Sequence, residues 1–177
     1  MKMLSRRFRT PATTSAGRLF DGVAALLGMG ATISYEGQAA MRVEELAGRS
    51  ADGGSYPFDC LTAARKGNPE VHPELVVDCV PMLRAILREI DRDVPRATVA
   101  RRFHNTLAQM IVAVARKRPG LPVVFTGGCF QNKLLYESTA ALLEKEGIAV
   151  YGHRNIPPND GGIAVGQILA AAHSTAH

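Results

Sequence analysis

Two glycine-bearing turns restrict what this chain can fold into. The first, Thr126-Gly127-Gly128-Cys129-Phe130-Gln131-Asn132, follows directly on the apolar run 122–125, and the second, Pro157-Pro158-Asn159-Asp160-Gly161-Gly162, directly precedes an alanine-rich helical stretch. One helix-length and one strand-length segment lie between them, about the span of a βαβ unit. Strands joined in that way run parallel, and parallel sheets place ligands outside the carboxyl ends of their strands. Both turns are therefore expected at one sheet edge.

A strand that ends in Gly-Gly and enters a helix lets backbone N–H groups approach an anion, and the helix dipole adds to the attraction. The same glycine pair also serves as a plain tight turn, and both readings stand. Asn132 offers a carboxamide to a ribose or base, or is a solvent-facing helix residue. Asp160 is either a helix cap or a carboxylate presented to a divalent metal or a phosphate-bound cation. One carboxylate does not make a metal site, so further ligands would have to come from elsewhere. Cys129, at a strand-to-helix elbow, reads as a nucleophile with His104 or His153 as its base, or as a small buried hydrophobe. His104 lies among core-facing residues of a helix and reads as a packed histidine. His72, His173 and His177 read as loop and tail residues.

Apolar spacing at Leu19, Phe20, Val23, Leu26 and Leu27 predicts a helix over 16–27, capped by Thr13, Thr14 or Ser15 and stopped by Gly28 or Gly30. A second helix is expected over 35–46 with Glu36, Glu44 and Glu45 on its wetter side. Residues 48–55 read as an exposed loop, 56–61 as a short strand, and 48–73 as an inserted loop or hairpin region. Helices follow at 75–90 and 97–117, then strand 121–126, helix 131–146 ended by Gly147, strand 148–153 and helix 161–172. The expected class is α/β, with a helix-rich N-terminal part and a βαβα C-terminal third.

At 177 residues and 46% hydrophobic content the chain is long enough for a single buried core. No apolar run reaches the roughly 18 residues that span a bilayer, and no secretory signal is evident, so a cytoplasmic location is expected. Cys60, Cys79 and Cys129 are odd in number and far apart, which argues against a disulfide framework or zinc knot. The net charge of +5 owes much to the acid-free lead before Asp21, where Lys2, Arg6, Arg7, Arg9 and Arg18 fall. Without aromatic interleaving, that lead reads as a basic rim or a polyphosphate contact rather than a nucleic-acid site.

Taken in order, Thr14-Ser15-Ala16-Gly17-Arg18-Leu19-Phe20-Asp21, Ser34-Tyr35-Glu36-Gly37-Gln38-Ala39-Ala40, Arg102-Phe103-His104-Asn105 and the two glycine turns resemble the C-terminal part of HypF-type carbamoyltransferases. Wider relatives are the tRNA threonylcarbamoyl transferases and the O-carbamoyltransferases. The resemblance implies the second lobe of an actin-like, Hsp70-like (ribonuclease H-like) ATPase fold, with residues 1–177 a single partial domain. It implies transfer of a carbamoyl group from carbamoyl adenylate, made with ATP, to the C-terminal cysteine of a small hydrogenase maturation protein, on the way to the cyanide ligands of a nickel-iron hydrogenase. It assigns nucleotide binding to Gly17, Asp21, Gly127, Gly128 and Asn132, and a divalent metal (iron, zinc or magnesium) to Asp160. Position 129, valine in the family, is cysteine here, which weakens the nucleophile reading.

The family places its acylphosphatase, zinc-finger-like and adenylating segments, and the first lobe with its metal-binding histidines, ahead of the stretch matched here. A separately encoded first lobe and a homodimer through an exposed apolar face are thus further expectations. Two other readings remain: a non-catalytic remnant or assembly module of the same fold, indifferent to ATP, and the tRNA-modifying branch.

Overall fold

The computed structural model describes residues 13–29, 32–63 and 74–174. Most of the basic lead, Gly30, residues 64–73 of the expected insertion, His72 and His177 lie outside the described residues. The chain divides into two compact units, Met1–Val43 and Glu44–His177. No helix among the described residues is long and apolar enough to cross a membrane.

In the first unit, helix α1 (Ala16–Leu26) begins where the Ser15 hydroxyl accepts the Arg18 N–H at 3.4 Å, and Gly28, at φ 72°, follows its end. Phe20, Val23, Ala24 and Leu27 are buried, as the 3.6-residue spacing requires. Helix α2 (Gln38–Ala47) starts three residues later than its sequence pattern suggests. Ser34-Tyr35-Glu36-Gly37 form a turn instead, with Gly37 at φ 82° and the Gln38 side chain accepting the Ser34 N–H. Glu36 therefore precedes the helix, and Glu44, at the start of the second unit, is not a solvated face residue: its carboxylate accepts the Leu134 N–H at 3.0 Å.

The second unit holds an antiparallel hairpin, β1 (Asp59–Ala63) with β2 (Glu74–Asp78), in register Asp59↔Asp78. The helix expected over 75–90 starts five residues later, at Val80. Leu75, Val76 and Val77 extend into the hairpin, and helix α3 (Val80–Ile90) begins only after Asp78, whose carboxylate accepts the Val80 N–H at 2.8 Å. The reason is local. Two adjacent valines favour a strand, while Pro81 fits a helix only in its first turn.

The stretch 48–55 is an irregular, mostly exposed loop, as expected, and it is also tied to a helix. Arg102, on helix α4 (Arg96–Arg116), holds both carboxylate oxygens of Asp52 at 2.8 and 3.0 Å and reaches Glu89 of α3 at 2.5 Å. Asn105 donates to the carbonyls of Asp52 and Gly54, Thr106 accepts the Tyr56 N–H, and Tyr56 donates its hydroxyl to Glu89. One α4 face thereby satisfies backbone groups that an irregular segment leaves open.

Strand β3 (Val123–Phe125), helix α5 (Lys133–Lys145) and strand β4 (Val150–Gly152) form the expected parallel βαβ unit, in register Val123↔Val150, and helix α6 (Ile163–Ser174) follows. Phe125 is its packing centre, stacked on Phe130 with ring centroids 4.4 Å apart and edge-on to Tyr136 at 5.0 Å. Val112 of α4 and Leu143 of α5 share that core. Arg116 and Glu146 join the C-terminal ends of α4 and α5.

Candidate functional site

The parallel pairing carries both glycine turns to the carboxyl ends of β3 and β4, and a hydrogen bond links them: the Gly127 N–H donates to the Pro158 carbonyl at 2.7 Å. His153, just past β4, lies 3.3 Å from the Thr126 hydroxyl, just past β3. The shared sheet edge expected from spacing is thus present.

Each turn has its own reason for glycine. Gly127 sits at φ 90° and ψ 161°, a region closed to residues with a Cβ. Gly128 has nothing within 4 Å of where a Cβ would stand, so its backbone faces open space. A Cβ on Gly162 would come within 2.8 Å of the Pro157 carbonyl, so the second turn closes only around glycine.

Helix α5 does not start straight from the strand. A 3-10 turn, Gly128–Gln131, intervenes, closed by the Phe130 N–H on the Gly127 carbonyl, and Asn132 then caps α5. Asn132 is accordingly a buried cap and not a solvent-facing helix residue. It is 7% exposed; its carbonyl oxygen accepts the Leu135 N–H at 2.8 Å and its amide nitrogen lies 3.1 Å from Nε2 of His104. With Leu134 bonded to Glu44, two first-turn N–H groups of α5 are taken by side chains. The N–H groups of Gly128 and Cys129 have no acceptor among the described residues, as expected at the start of a 3-10 turn.

Asp160 opens a second 3-10 turn, Asp160–Gly162, but the cap there is Asn159, whose side chain accepts the Gly161 N–H at 3.1 Å. The Asp160 carboxylate is exposed and has no hydrogen-bond or ion-pair partner among the described residues. No group of three or more His, Cys, Asp or Glu side chains that could hold a metal ion is gathered among those residues. The donors present do not fit a complete metal centre.

Burial pushes the Cys129 thiol up, opposite to the shift a thiolate nucleophile needs, and His104 is committed to other partners. Burial also lowers the His104 pKa, with Arg101 adding to the effect while the Ala100 carbonyl and Glu44 oppose it. His104 is thus packed, as its neighbours on the helix suggest. Its pairing with Asn132, 28 positions away, carries no sequence signal.

Gly17 and Asp21 belong to the first unit. Asp21 pairs with Arg18 at 3.1 Å along α1, and a Cβ on Gly17 would make only an ordinary contact with the Ser15 hydroxyl. Gly127, Gly128, Asn132 and Asp160 all belong to the second unit.

The α/β fold is that of a Kae1-like subdomain: residues 1–167 match the family described as the carbamoyltransferase, Kae1-like domain, second subdomain. The chain is 37% identical over 170 residues to carbamoyltransferase HypF of Synechocystis sp., covering 96% of this chain and 21% of that protein. It is 38% identical over 177 residues to carbamoyltransferase HypF of Rhodobacter capsulatus, covering 97% and 21%. A crystal structure of full-length HypF in the phosphate- and nucleotide-bound form superposes with a TM-score of 0.81 at 34% identity, over 94% of this chain and 25% of that one. The chain belongs to the HypF carbamoyltransferase family, and it spans about a fifth of the length of these curated relatives.

Proposed function

We propose that this chain supplies the nucleotide-binding second lobe of a HypF-type carbamoyltransferase of actin-like fold. The observation that carries the reading is the bond from Gly127 to Pro158, which makes one continuous edge of the two turns and leaves the Gly128 and Cys129 N–H groups and the Asp160 carboxylate around it. A related protein, 34% identical, has been crystallised with phosphate and nucleotide bound.

On this reading the phosphate of ATP or carbamoyl adenylate lies against the Gly128 and Cys129 amides, whose fixed dipoles need no rearrangement as charge develops. Gly127 contributes its backbone shape rather than its N–H, which Pro158 holds. In the reaction a C–S bond forms between the carbamoyl carbon and the C-terminal cysteine thiolate of a hydrogenase maturation partner, the C–O bond to the adenylate phosphate breaks, and AMP leaves with the electron pair. Asp160 is offered as one ligand to a divalent metal. Because no group of three or more metal-binding side chains is gathered among the described residues, the remaining ligands would come from a first lobe.

Calorimetric titration with ATP and with a non-hydrolysable carbamoyl-adenylate mimic tests the proposal. Binding in the micromolar to millimolar range, strengthened by a supplied first lobe, supports it. A folded chain giving no heat and no thermal shift at millimolar ligand would leave the assembly-module reading in its place.

A further inference from the structure

His104 is fully buried on α4, at 0% exposure, and both ring nitrogens have defined neighbours. Nδ1 lies 2.8 Å from the Ala100 carbonyl oxygen, which only accepts, so Nδ1 must carry the proton. Nε2 lies 3.1 Å from the Asn132 amide nitrogen. That carboxamide cannot be reversed without loss, because its oxygen accepts the Leu135 N–H at 2.8 Å and a backbone N–H only donates. The proton positions therefore follow one from another: Leu135 orients the Asn132 amide, the amide donates to Nε2, and Nδ1–H donates to Ala100. Protonation of Nε2 would set two donors face to face. Asn132 in turn ends the turn that begins at Gly127, with its own N–H on the Cys129 carbonyl at 3.2 Å.

We infer that His104, as a neutral imidazole protonated on Nδ1, is a positioning residue for the first glycine turn: it holds the Asn132 carboxamide in its capping orientation, and through it the backbone of residues 127–131. Asn132 then acts on a nucleotide by holding the turn in shape rather than by contact through its side chain. The consequence for nucleotide affinity rests on the function proposed above, whereas the tautomer and the cap do not.

The test has three readouts. Heteronuclear NMR of the imidazole nitrogens in the unliganded chain should show His104 with its proton on Nδ1 near neutral pH; a proton on Nε2 would overturn the inference without any variant being made. Amide exchange at Leu135 should quicken about tenfold or more in His104→Leu, which removes the acceptor of a buried amide, and return to within about threefold in His104→Gln, whose side-chain oxygen can accept in its place. Unchanged Leu135 exchange in a folded His104→Leu chain would also overturn it. ATP affinity, read by calorimetry, should fall about tenfold in His104→Leu and recover in His104→Gln; equal losses in both variants would contradict positioning. If the unaltered chain binds no ATP, the proposed function fails, and the tautomer and the Leu135 exchange still decide the role of His104.

Discussion

Gly127 and Gly128 are neighbours with different duties, and a pair of substitutions separates them. Gly127→Ala forces a Cβ into a glycine-only region and should cost about 1–3 kcal/mol in urea unfolding. Gly128→Ala, with open space around it, should cost about 0.5 kcal/mol or less while placing a methyl group where an anion would sit. Reversed stability costs would contradict the turn geometry. Asn132→Ala removes a helix cap, worth about 1 kcal/mol, and a buried hydrogen bond to His104, worth about 1–3 kcal/mol, so a total loss of about 2–4 kcal/mol is expected from the same unfolding curves. His104 adds a pH dependence. Its folded pKa lies below the ordinary value of about 6.5, so the unfolded chain takes up this proton first as pH falls. The contribution is thus fully present above about pH 6.5 and is lost as pH drops through the folded value. His104→Gln should flatten this acid limb, and a limb unchanged by the substitution would show that other groups carry it.

Among the elements, the polar face of α4 is the one whose role extends furthest beyond its own helix, because Arg102, Asn105 and Thr106 fix segment 50–56 onto it. Tyr56→Phe removes the hydroxyl that donates to Glu89 at 2.6 Å and should cost about 1–2 kcal/mol. Arg102→Met should speed amide exchange at Gly54 and Tyr56, and exchange rates unchanged from the parent would refute the tie. None of this is legible in sequence, since Asp52 and Arg102 are 50 positions apart and an irregular stretch rich in Gly, Asp and Ser looks the same whether it is solvated or bound to a helix. The βαβ unit was legible because its signals are local: short apolar strands, a helical period between them, and Gly147 at φ 69° after α5. The helix expected over 75–90 failed at its start, where valines that suit a helix face equally suit a hairpin. At the site, spacing foretold that the turns would meet, but the capping role of Asn132 depends on a 3-10 turn that shifts the helix start by two residues.

At the scale of the whole molecule, the second unit leaves large apolar side chains in contact with water: Leu121, Val124 and Tyr151 on and beside the short sheet, and Ile163, Val165, Ile168 and Leu169 along α6. Apolar exposure of that kind favours association. Replacing Ile168 and Leu169 by lysine should lower self-association in analytical ultracentrifugation; a chain that is monomeric before the change would refute the claim. The central claim concerns the joined turns. It is tested most directly by titrating ATP into the isotopically labelled chain and mapping amide shifts. The account predicts perturbations concentrated at residues 127–131 and 159–162, weakened by Gly128→Ala. Saturable shifts elsewhere in the second unit with these turns unmoved would contradict it.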